Sequence, residues 1–92
     1  MFDSLLHQPV RTKLMATLIN NQALSFKALK EILSLTDGNL AGHLKKLEDA
    51  HYVEIHKSFE GKRPKTTISI SDKGKDAFRE YIQELQQFME EF

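Results

Sequence analysis

Between Thr36 and Ile55 the chain reads TDGNLAGHLKKLEDAHYVEI, a helix running into a strand. Leu40, Leu44 and Leu47 recur at helical spacing and form one apolar stripe, which predicts a helix from about Asp37 to Ala50. Thr36 or Asp37 is its cap. YVEI then begins the alternation of a half-buried strand, with Val53 and Ile55 on one face and Glu54 and His56 on the other. At about 100° per residue, the face opposite the leucines carries Gly38, Gly42, Lys45 and Lys46, flanked by Asn39 and His43. Glycine inside a helix costs about 0.8–1 kcal/mol relative to alanine. A merely solvated helix face has no reason to accept two of them, whereas a face that must lie close to another backbone does.

Upstream, PVRTKLMATLINN reads as a helix with Pro9 in its first turn, Val10, Leu14 and Leu18 at helical spacing, and Asn20-Asn21 as a stop. SFKALKEIL is a second, short helix capped by Ser25, with Phe26, Leu29, Ile32 and Leu33 facing in. SLT joins it tightly to the third. Downstream, Gly61 and Pro64 break the strand within FEGKRPK, and TTISIS alternates again with Ile68 and Ile70 inward. These two strands make a hairpin with a long basic tip carrying Lys62, Arg63 and Lys65. Ser71 caps a final helix of roughly Asp72 to Glu91. The expected fold is mainly α with a small β-hairpin (α+β): a three-helix core, a two-stranded wing and a long C-terminal helix. A lone hairpin is marginal in water, so this one must lie against the helices. No internal repeat, low-complexity tract or linker divides the 92 residues, so a single domain spanning 1–92 is expected.

Composition narrows the function classes. With no cysteine there are no disulfides, thiolate metal sites or cysteine nucleophiles. No apolar run approaches the roughly 18 residues of a membrane span, and MFDSLLHQPVR lacks the layout of a signal peptide, so a cytoplasmic protein with no membrane partner is expected. The formal net charge is zero, yet the charge is uneven: residues 1–35 carry +2, residues 36–65 carry +1 and residues 66–92 carry −3. That asymmetry suits a protein presenting one end to a polyanion. No phosphate-cradling loop, nucleophile motif or paired carboxylates mark an enzyme, and no cofactor is expected. His7, His43, His51 and His56 are the candidate metal ligands, but none forms an i, i+4 pair on a helix, and no metal site is expected.

Gly38 and Gly42 would let the third helix approach a phosphate backbone or base edges. Lys45 and Lys46 would reach phosphates, and Asn39 or His43 would reach bases. An arginine on a thin hairpin, here Arg63 stiffened by Pro64, can enter a minor groove. The ordered set PVRTKLMATL, LSFKALKEILSLTDGNLAGHLKKLEDAHYVEI, GKRPKTTISISDKGKDAF and the helix that follows resembles the winged helix-turn-helix class. More closely it resembles the small prokaryotic transcriptional regulators of the MarR/ArsR-like superfamily in minimal single-domain form, over about Leu5 to Phe88. The resemblance implies a recognition helix in the major groove, a wing on the flanking backbone or minor groove, and a homodimer on two half-sites of a pseudo-palindromic operator. By position it places Thr36, Asp37, Gly38, Asn39, Gly42, His43 and Lys46 in the groove, with Lys62, Arg63 and Lys65 as the wing. The position after Ala50, often glycine in these families, is His51 here.

The last helix carries Phe78, Ile82, Leu85, Met89 and Phe92 in one stripe, widened by Tyr81 and Phe88. A helix of about twenty residues is ~30 Å long, comparable with the whole domain, so its distal half overhangs unless it meets a partner. Phe2, Leu5 and Leu6 also need cover. A homodimer interface of Phe2, Leu5, Leu6, Tyr81, Ile82, Leu85, Phe88, Met89 and Phe92 is therefore expected. A small-molecule effector between protomers is compatible with this arrangement, though no residue set identifies one. The alternative to DNA binding is a winged-helix module whose third helix and hairpin bind protein, a reading that draws on the neutral net charge.

Overall fold

The computed structural model describes residues 2–92. Helix α1 (Pro9–Asn21) starts where expected: Pro9 occupies the first turn, and the Gln8 side chain accepts from the Arg11 N–H. Its inward face is Leu14, Met15 and Leu18, all fully buried. Strand β1 (Ala23–Ser25) follows at once and leads into α2 (Phe26–Leu33), capped by Ser25. Helix α3 (Asp37–Asp49) is capped by Thr36, whose hydroxyl accepts from the Asn39 N–H. Strands β2 (Val53–Glu60) and β3 (Arg63–Ile70) form the hairpin, and Ser71 caps α4 (Asp72–Glu91).

Three features differ from the sequence expectation. The sheet has three strands, not two, in the antiparallel order β1–β3–β2, with Ala23 opposite Ser69 and Ser25 opposite Thr67. Three residues are too few to display a period-two pattern, so β1 has no sequence signature of its own. It ties the wing base to the α1–α2 connection. The hairpin tip is also tighter than a long basic loop. Glu60 faces Arg63 across a two-residue turn at Gly61 and Lys62, and Gly61 takes φ +66°, the left-handed conformation that such turns favour. Arg63, Pro64 and Lys65 therefore belong to β3. Pro64 faces Phe59 one step from the turn, a pair that exchanges no ladder hydrogen bonds, so its missing N–H costs β2 nothing. Finally, Ile32 is 56% exposed instead of buried. Phe26, Leu29 and Leu33 fill the inward arc of α2, and Ile32 lies about 90° from its centre.

The core gathers Leu6, the α1 leucines, Leu29, Leu40, Leu44, Leu47, Val53, Ile68, Ile70, Phe78 and Tyr81. Gly74 makes the closest approach: a Cβ there would run into the Tyr52 carbonyl, which already accepts from the Ser71 N–H at 3.0 Å. Residues 2–8 are docked as well. Asp3 Oδ1 accepts from the Leu5 and Leu6 N–H groups, and Asp3 Oδ2 accepts from the Tyr52 hydroxyl. Burial first, and then the Asp3 hydrogen bond, push the Tyr52 hydroxyl up to about 12. Thr12 donates to the Leu6 carbonyl, and His7 Nδ1 lies 2.9 Å from the Tyr81 hydroxyl.

Helix α3 ends in a Schellman motif. The Tyr52 N–H reaches the Leu47 carbonyl, the His51 N–H reaches Glu48, and His51 takes φ +62°. The residue that stands where these families often have glycine thus adopts glycine's backbone conformation, at a strain of roughly 1–2 kcal/mol. The turn geometry is kept and its cost rises.

Candidate nucleic-acid interface

The outward face of α3 is built by its inward one. With Leu40, Leu44 and Leu47 buried, the helical period leaves Thr36, Asp37, Gly38, Asn39, Gly42, Lys45 and Lys46 exposed. Beyond the adjoining residues and the helix's own backbone, no atom lies within 4 Å of where a Cβ would stand on Gly38 or Gly42. The chain itself makes no use of that room, in contrast to Gly74.

Charge on this surface is partly committed. Asp37 pairs with Lys30 of α2 at 2.9 Å, which removes an acidic group from the front of α3 as a free charge. Lys45 pairs with Asp49 one turn on at 2.8 Å, and that carboxylate raises the pKa of the Lys45 ammonium. Lys65 reaches Glu60 across the wing at 3.4 Å. Among the described residues no carboxylate pairs with Lys46, Lys62 or Arg63, so these three carry the uncommitted positive charge of the expected set.

Two grooves flank these elements and bring in cations that sequence reasoning missed. One, of about 330 Å³, lies between α3 and the sheet and is lined by Ala41, Lys45, Glu48, Ile55, Lys57 and Thr66. Lys57 shares the strand face of Val53 and Ile55 beyond the end of the core, and that parity was the available signal. The other, of about 730 Å³, lies between the start of α2 and the wing and gathers Lys27, Arg63 and Lys65. Lys46 and Lys62 line neither groove.

His43 is half-buried, unlike the rest of the α3 face. Its Nδ1 lies 3.1 Å from the guanidinium of Arg11, which sits on α1 and is only 8% exposed. Burial, then Arg11, then Lys46 hold the His43 pKa below its ordinary value. Nothing in sequence spacing links positions 11 and 43.

The expected dimer surface divides in three. Leu6 and Tyr81 are buried within the chain. Phe2, Leu5, Ile82 and Leu85 are partly buried against the core. Phe88, Met89 and Phe92 stay exposed on the last turns of α4, with Met89 at 62% and Phe92 at 90%. His7, His51 and His56 join no cluster able to hold a metal among the described residues. No described helix is long and apolar enough to cross a membrane.

The model of the winged helix DNA-binding domain family matches residues 10–89, so the chain belongs to that family. An uncharacterized protein of Methanocaldococcus jannaschii is 50% identical over 78 residues, covering 85% of each chain. Among solved structures, a transcriptional regulator homologue from Pyrococcus horikoshii OT3 superposes with a TM-score of 0.89 at 29% identity, covering 94% of this chain and 85% of that one. The reduced form of the transcriptional regulator YodB from B. subtilis superposes with a TM-score of 0.78 at 26% identity, covering 97% and 85%. The family is that of winged helix DNA-binding domains, and the fold is shared with transcriptional regulators.

Proposed function

We propose that the protein is a homodimeric transcriptional regulator that reads a pseudo-palindromic operator, with α3 in the major groove and the β2–β3 wing on the flanking backbone or minor groove. The observation that carries this reading is the open room over Gly38 and Gly42. Two helix-weakening residues face outward, fill no internal need, and stand beside the uncommitted Lys46. A partner backbone that must come close accounts for both. In this reading Asn39, His43 and the α3 N-terminus face base edges, while Lys45, Lys46, Lys62, Arg63 and Lys65 serve phosphates. Residues 1–92 act as one winged-helix unit, and Phe88, Met89 and Phe92 of α4 meet a second copy. In this reading the protein acts in the cytoplasm of a prokaryotic cell, the compartment that holds the duplex there.

The test is fluorescence anisotropy with mixed-sequence duplex across a salt series, with light scattering for mass. Dissociation constants of about 10⁻⁴–10⁻⁶ M at physiological salt, and a log–log salt slope of several units, are expected for non-specific phosphate contacts. No binding even at low salt would overturn the reading in favour of a protein-binding module.

A further inference from the structure

Resting on the DNA-binding reading above, we infer that Arg11 is a positioning residue for recognition. Its guanidinium holds His43 as the neutral Nε2–H tautomer, so that α3 presents the DNA with a fixed hydrogen-bond donor. A guanidinium carries five N–H donors and no acceptor. The ring nitrogen 3.1 Å from it, His43 Nδ1, must therefore offer a lone pair. In a neutral imidazole the proton then sits on the other nitrogen, Nε2. A protonated ring would set an N–H against an N–H and one cation against another.

The surroundings hold that state. Arg11 faces the ring from α1, and Lys46 acts on it from α3 itself; no carboxylate pairs with His43 among the described residues. Nothing nearby favours the imidazolium. Arg11 is itself immobilised: its Nε donates to the Leu5 carbonyl at 2.6 Å, and the Leu5 N–H is held by Asp3. One planar fork thus spans two elements, a task a lysine ammonium cannot perform with the same geometry.

A fixed donor on a recognition helix selects acceptors. In the major groove these are purine N7, guanine O6 and thymine O4, while the amino groups of adenine and cytosine are refused. A phosphate oxygen offers the same chemistry, and the test separates the two.

Long-range ¹⁵N–¹H NMR on the free, full-length protein at neutral pH reads the tautomer without any DNA. A single Nε2–H form of His43 is expected, collapsing to a tautomer average in Arg11→Met, which removes every donor facing Nδ1. An Nδ1–H form, or an average already present in the wild-type protein, overturns the inference and leaves the DNA-binding reading untouched; the wild-type measurement needs no variant to fold. Duplexes selected from a random library are then substituted at single positions with 7-deazapurines, which lack N7, 2-aminopurine, which lacks guanine O6, 5-methyl-2-pyrimidinone, which lacks thymine O4, or methylphosphonates. Wild-type affinity should fall about five- to tenfold at one such substitution, as for the loss of one hydrogen bond, and Arg11→Met should not distinguish that substituted duplex from its parent. The substitution that produces the effect identifies a base edge or a phosphate as the acceptor. Equal discrimination by wild type and Arg11→Met overturns the inference. A correct tautomer with no duplex binding at low salt overturns the DNA-binding reading, and the role of Arg11 in recognition falls with it.

Discussion

Replacing Gly42 by alanine should make the protein more stable and its DNA binding weaker. Gly42 lies in the interior of α3, beyond the capped first turn that contains Gly38. Beyond the adjoining residues and the helix's own backbone, no atom lies within 4 Å of the site of the new Cβ, so the methyl group meets no steric cost in the free protein. The gain is then the helix-propensity difference, about 0.8–1 kcal/mol. At roughly 2.1 cal/mol/K of unfolding entropy per residue, the 92-residue chain has about 190 cal/mol/K in total, so the melting temperature should rise by about 4–5 °C. Protein concentration must be held constant across the comparison, since an assembling protein melts in a concentration-dependent way. In the complex the same methyl group enters a tight interface. By analogy with an overpacked core, it should cost about 1–3 kcal/mol, a roughly five- to 150-fold loss of affinity. Calorimetry and anisotropy on the same samples read both effects. A higher melting temperature with unchanged DNA affinity would refute the idea that the glycines serve close approach. A lower melting temperature would refute the claim that the space over Gly42 is free.

Gly74→Ala should act in the opposite sense, losing about 1–3 kcal/mol in urea denaturation because its Cβ would meet the Tyr52 carbonyl, a backbone atom with little freedom to move. His43 has a folded-state pKa below its ordinary value, so the unfolded chain takes up the proton first as pH falls. Its contribution is complete above the ordinary histidine pKa of about 6.5 and is lost as pH drops through the depressed folded value, so His43→Gln should flatten the acid side of a pH–stability profile. Met89→Glu with Phe92→Glu should yield monomers by light scattering, because both side chains are exposed at the end of α4; an unchanged mass would sink that interface. Arg63→Ala should weaken duplex binding and lower the salt slope by about one unit, and an unchanged slope would remove Arg63 from the phosphate contacts.

The long elements were legible because each carries its own signal. Thr36, Ser25 and Ser71 cap helices at the expected positions, and Leu40, Leu44 and Leu47 orient α3 through a period that needs no knowledge of the rest of the chain. The outward glycines followed from the same wheel. Ile32 was misplaced because two turns of helix leave room for only one narrow inward arc, and spacing alone does not choose which residues occupy it. Leu6 and Tyr81 find cover within their own chain, which spacing could not show, because an apolar residue near a terminus looks the same whether its cover comes from its own chain or from another.

Local sequence determined the helices, their caps, the alternating strands and the face that α3 turns outward, since these depend on neighbours within about seven residues. Tertiary structure alone decided that β1 joins the sheet, that Gly74 must be glycine, that Asp37 pairs with Lys30 of the preceding helix, and that Arg11 meets His43 across 32 positions. Most of those facts are distances between atoms far apart in the chain. Short-range periodicity carries no information about them, because they arise only when burial of the shared core brings the elements together.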